Sequence, residues 1–94
     1  MKTKSILDEA QALVMGKNEE LYGKPSNNWG DTADLFTAYL HAKGLLPRDA
    51  QLSAADASML MVLVKVARQA HRPKRDNLVD IAGYALVVDR ILTE

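Results

Sequence analysis

Five basic side chains, Lys65, Arg68, Arg72, Lys74 and Arg75, fall within eleven residues and run directly into two aspartates, Asp76 and Asp80. Three chemistries fit such a grouping. Carboxylates four apart on a helix share a face and can hold a divalent cation between them. Crowded guanidinium and ammonium groups can hold a phosphate through charge-assisted hydrogen bonds. Alternatively the two sets neutralise each other as an interhelical ion-pair network, which also produces clusters of this kind. Five cations exceed what two aspartates need, and the surplus suits an anionic ligand.

The spacing says how these groups must be carried. Residues three and four apart share a helical face, so Lys65, Arg68 and Arg72 line one side of a helix, with Met61 a turn earlier. Asp76, Asp80, Gly83 and Val87 line one side of the next. The intervening RPKR is short, which predicts antiparallel packing and brings Lys65 and Arg68 towards Asp80 and Tyr84. Upstream, YGKPSNNW offers further ligand chemistry. Tyr22 and Trp29 present faces on which a base can stack, Lys24 can reach a phosphate, and Asn27 or Asn28 can read a base edge. The plainer reading of that stretch is a turn set by Gly23 and Pro25, with Trp29 filling the core. Glu19 and Glu20 read as a solvated pair rather than metal ligands. His41 and His71 lack a second ligand at zinc spacing. No P-loop, dinucleotide fingerprint, nucleophile elbow or H-E-x-x-H is present.

The elements that must position these groups are helical. Ser5 with Asp8, and Ser53 with Asp56, are capping-box starts. Leu7, Ala10, Val14 and Leu21 recur at helical spacing in the first segment. Gly23 and Pro25 then predict a break, followed by a second helix from about Trp29 to Lys43 with Gly44 at its stop and Trp29, Ala33, Phe36 and Leu40 as its stripe. A third helix is expected from Ser53 to near His71, and a fourth, capped by Asp76, to about Leu92. The reading is one all-α, four-helix domain over residues 1–94.

Composition sets the outer limits. Twelve basic and twelve acidic residues give zero net charge, which weighs against duplex nucleic acid as a partner. Cysteine is absent, removing disulfides, thiolate metal sites and a cysteine nucleophile, and an intracellular protein is expected. MKTKSILDEAQALV has no continuous apolar run and does not read as a signal peptide. MLMVLV, the longest apolar run, is far too short to cross a bilayer, so no membrane partner and a cytoplasmic location are expected. MLMVLVKVA and LVDIAGYALVV are nevertheless apolar almost all round, whereas a surface helix has one stripe. Two narrow amphipathic helices cannot cover both, which predicts a homodimer or larger even-numbered homo-oligomer. Gly83, costing about 1 kcal/mol in a helix, is expected where another helix or a ligand comes close.

Taken together, KVARQAHRPKRDNLVDIAGYALVV resembles a family of small uncharacterised phage proteins that share K-x-x-R, a basic loop and D-x-x-x-D-x-x-G-Y-A. LYGKPSNNW and LFTAYL are similar to that family's upstream segments, so the resemblance covers residues 21 to 88. More distantly, the helical order is similar to MazG-like all-α nucleotide pyrophosphatases, whose E-x-x-E and E-x-x-D carboxylates hold magnesium. Here Lys65 and Arg68 stand at the E-x-x-E positions, and Asn77 and Asp80 at the E-x-x-D positions. The resemblance implies a self-associating, MazG-like bundle that binds a nucleotide or nucleotide-derived signal without hydrolysing it. In a phage this would be a sponge against host defence, in the host cytoplasm. Lys65, Arg68, Arg72, Lys74, Arg75 and Lys24 would contact phosphate, and Tyr22, Asn28, Asp76, Asp80 and Tyr84 would contact the base or orient the site. No cofactor would be required. The alternatives are a magnesium-dependent nucleoside triphosphate pyrophosphohydrolase or accessory factor, with Asp76 and Asp80 as its metal ligands, and a purely structural interaction module.

Overall fold

The computed structural model describes residues 4–16 and 24–94. Four helices make up the described chain: α1 (Ile6–Met15), α2 (Pro25–Ala42), α3 (Ala54–His71) and α4 (Arg75–Thr93), with no strand among the described residues. Both capping boxes form. Ser5 and Ser53 each accept a hydrogen bond from the N–H three residues on, at Asp8 and Asp56, and each of those aspartates accepts from the serine N–H in return. Two unsatisfied donors are thereby closed at each helix start. Gly44 ends the second helix at φ +70°. That is left-handed geometry, which a side chain resists.

Two boundaries differ from the sequence expectation. α2 begins at Pro25, its first helical position, instead of near Trp29. The N–H that proline lacks would be unpaired there, and its fixed φ already suits the turn. Asp76 does not cap α4. Lys74 takes the cap position with no side-chain cap, and Asp76 lies inside the first turn. Its charge there still meets the positive end of the helix dipole.

The helices lie in a thin slab of 53 × 33 × 20 Å. Its shortest dimension corresponds to about two helix diameters. The radius of gyration is 14.7 Å. A compact chain of this length usually has roughly 12 Å. α4 is the central element, packed by α1 and α3, while α2 leans mainly on α3. Small side chains permit the closest approach. Ala57 and Ser58 are fully buried where α3 meets α4, and Ser58 Oγ donates to the Tyr84 carbonyl at 3.0 Å. Thr37 makes the corresponding tie for α2, donating to Ala33 O and accepting from Leu52 N–H.

Among the described residues, the buried apolar side chains are small: Ala10, Val14, Ala33, Ala57, Val79 and Val87, with Pro25 at the start of α2. Larger ones are at most half-buried, as Phe36, Leu40, Met61 and Leu86 are, and many are exposed. Leu7, from the expected stripe of α1, is 67% exposed, whereas Ala10 and Val14 are the residues of α1 that are buried. Met59, Leu63 and Val66 of α3 stand exposed as well. Gly83 is buried where α1 crosses α4. An added Cβ would lie 3.6 Å from Val14 Cγ2, which is ordinary contact, so the crossing accounts for a small residue without demanding glycine. Leu21, the last residue of the expected first stripe, lies outside the described residues. No helix among the described residues is long and apolar enough to cross a membrane.

Candidate functional site

The α3–α4 hairpin holds an open pocket of about 540 Å³. That volume falls within the usual range for small-ligand sites. One wall is the last turns of α3, with Lys65, Ala67, Arg68 and His71. The turn adds Arg72 and Lys74. The start of α4 completes it with Asp76, Asn77 and Asp80. The antiparallel hairpin read from the short RPKR turn brings these residues together. Pro73 explains the sharpness of that turn. A residue before proline is driven out of the helical region. Arg72 is accordingly extended, at φ −143° and ψ 92°.

Inside the pocket the charges are not evenly matched. Lys65 Nζ lies 2.9 Å from Asp80 Oδ2, with side chains 13% and 33% exposed. This half-buried pair is the ion-pair contact expected between the two helices. Arg68, Arg72 and Lys74 make no ion pair among the described residues, and Asp76 is the one further carboxylate beside them. Four permanent cations against two carboxylates leave a local surplus of two positive charges.

A polar tie that the residue pattern does not single out stiffens this end of the hairpin. Gln69 Oε1 accepts from Lys74 N–H at 2.9 Å and from Asn77 Nδ2 at 3.1 Å, and Asn77 Nδ2 also reaches the Arg72 carbonyl at 3.3 Å. Asn77 is buried, so these bonds satisfy an amide that would otherwise be costly. The tie also supplies an acceptor for the uncapped Lys74 N–H. Nothing in the sequence pattern marks Gln69 as different from a solvated helical glutamine. His71, which lacks zinc partners, also belongs to the pocket wall.

Other expected site residues stand elsewhere. Arg75 leaves the basic cluster to pair with Glu9 and to donate to the Lys4 carbonyl, joining α4 to the start of α1. Lys24 is the exposed cap residue of α2, and Asn28 is exposed one turn later. Neither lines the pocket. Tyr84 packs edge-on against Trp29, ring centres 5.6 Å apart at 87°, so its ring is engaged between α2 and α4. Trp29 is half-buried in that contact rather than filling the core, and Pro25 to Asn28 belong to α2 rather than to a turn. Tyr22, Glu19 and Glu20 lie outside the described residues.

Magnesium, which the MazG-like likeness implies, does not fit the residues of this pocket. The ion favours several oxygen ligands, usually carboxylates together with substrate phosphates. Here Asp80 already meets Lys65, and the neighbours of Asp76 are cations and an amide. Among the described residues no three His, Asp or Glu side chains gather in a way that could hold a metal ion.

A family model described as "Domain of unknown function (DUF6378)" matches residues 5–92. The chain is 40% identical over 93 residues to the Gene 55 protein of Mycobacterium phage D29, covering 98% of this chain and 56% of that one. It is 32% identical over 88 residues to the Gene 55 protein of Mycobacterium phage L5, covering 93% of this chain and 52% of that one. The chain thus spans about half the length of these relatives. No solved structure matches it.

Proposed function

This chain belongs to the DUF6378 family of phage proteins, and on that footing we propose that it binds a nucleotide or nucleotide-derived anion without hydrolysing it. The supporting observation is the charge surplus of the α3–α4 pocket. Lys65 is matched by Asp80, whereas Arg68, Arg72 and Lys74 share the pocket with Asp76 as the one further carboxylate among the described residues. A phosphate supplies the missing acceptors. Arg68 and Arg72 can each present two parallel N–H donors to its oxygens, and Lys74 adds a point charge at the turn. Lys65, fixed by Asp80, holds positive potential at the inner end. Asp76 offers an acceptor to hydroxyl groups beside the phosphate.

In this reading the layout is MazG-like, with direct cation–phosphate contacts replacing the metal-mediated ones of those enzymes. Sequestering a nucleotide signal that a host uses against phage is the role that follows, in the host cytoplasm. Self-association belongs to the same reading, since Met59, Leu63 and Val66 lie exposed on α3.

Calorimetry with mono-, di-, tri- and cyclic nucleotides in EDTA tests the proposal. Binding should persist without metal, weaken as salt rises, and leave the nucleotide intact after prolonged incubation with magnesium. Loss of binding in EDTA, with magnesium restoring both binding and pyrophosphate release, would establish the pyrophosphohydrolase alternative. No heat with any nucleotide would leave the cluster as a structural feature of an interaction module.

A further inference from the structure

The outward face of α3 is apolar where a surface helix is normally polar. Met59, Leu63, Val66 and Ala70 succeed one another at spacings of four, three and four, the rhythm of a coiled-coil seam. Leu60 and Ala67 widen it on one flank, and all six are exposed, Leu63 by 59%.

The seam ends in opposite charges. Asp56 stands in the first turn of α3, and Arg68 and His71 in the last. We propose that a second copy of this chain docks here, its α3 antiparallel to the first about a two-fold axis near Leu63. A parallel pairing sets acid against acid and base against base, whereas the antiparallel one matches each end. Counting outward from Leu63, Ala67 meets the partner's Met59, and Ala70 meets the partner's Asp56. Ala67 and His71 are also pocket residues. The first turn of the partner's α3 therefore walls the open side of the pocket, and the partner's Asp56 faces His71 at its rim, leaving Arg68 and Arg72 to the ligand.

Docking stands on the α3 face alone; only its bearing on a ligand rests on the nucleotide reading. The absence of native cysteine makes the test direct. Met59→Cys and Ala67→Cys proteins, oxidised together, should give the mixed disulfide dimer, and each alone should give little. Four residues either side of the axis place like positions about 12 Å apart along the helix, beyond disulfide reach. Sedimentation of the wild type at micromolar concentration should show the dimer, and Leu63→Glu should abolish it with the circular dichroism spectrum unchanged. A 10.4 kDa species throughout, self-linking of either single variant in preference to the mixture, or a dimer that survives Leu63→Glu would each overturn the proposal. A wild type that dimerises and cross-links in this pattern but binds no nucleotide would remove the functional reading and leave this one standing.

Discussion

Lys65 Nζ and Asp80 Oδ2, 2.9 Å apart, join the third and fourth helices inside an otherwise apolar stretch of α3. The lysine is the more buried partner, so the pair is less screened than a surface bridge and less costly to desolvate than a fully buried one. Asp80→Asn should therefore cost about 1–2 kcal/mol, between the surface and buried limits. Urea denaturation of the two proteins in EDTA reads this directly. A metal-ligand role predicts the reverse, since removing one of two neighbouring acids relieves repulsion when no ion is present.

Arg68 and Arg75 should behave oppositely. Arg68 lines the pocket without an ion-pair partner among the described residues, whereas Arg75 is occupied by Glu9 and the Lys4 carbonyl. Arg68→Ala should lower nucleotide affinity roughly ten- to a hundred-fold, the loss of one charge-assisted bond, and leave the melting temperature nearly unchanged. Arg75→Ala should leave affinity alone and lower stability by about 1 kcal/mol, the usual scale for a partly exposed pair and its hydrogen bond. Calorimetry and thermal melts of both variants separate the two roles, and equal losses of affinity would contradict the division.

Gln69→Ala should be more damaging than its place in a helix suggests. It strips acceptors from the Lys74 N–H and from the buried Asn77 amide, leaving the latter only the longer bond to the Arg72 carbonyl. The expected cost is about 1–3 kcal/mol, the scale for an unsatisfied buried donor. Amide exchange should quicken at Lys74 first, because its N–H loses its acceptor outright. Unaltered exchange there would mean that the tie does not hold the turn.

Gly83→Ala should stabilise the protein. The new Cβ finds Val14 Cγ2 at ordinary contact distance. Alanine is favoured over glycine in a helix by about 1 kcal/mol. A raised melting temperature is the expected result. A lowered one would show that the α1–α4 crossing is tighter than 3.6 Å allows.

The features legible in the sequence are those governed by local rules. Ser5–Asp8 and Ser53–Asp56 act within three residues, Gly44 within one turn, and the α3–α4 hairpin arises from the three-residue loop Arg72–Lys74. The same locality brings Lys65 and Asp80 together. Pro25 is legible only as punctuation, because proline serves both as breaker and as first helical residue. Its downstream neighbours, which form α2, decide between the two. Arg75 and Tyr84 cannot be separated from their sequence neighbours on local grounds. Their partners, Glu9 and Trp29, lie more than fifty residues away along the chain, and only the packing of α1 and α2 selects them. Gln69 and Asn77 are illegible for a different reason. Their amides matter because a helix start lacks a side-chain cap, which is a property of the backbone.

The slab-like arrangement has a calorimetric consequence. The fully buried apolar side chains are mostly alanines and valines, while many leucines and Met59 already meet water and others are only half-buried, so melting a single copy exposes less new apolar surface than a compact core would. The heat-capacity increment of unfolding should fall below the usual value of roughly 12–15 cal/mol/K per residue, and the curve of stability against temperature should be correspondingly flat.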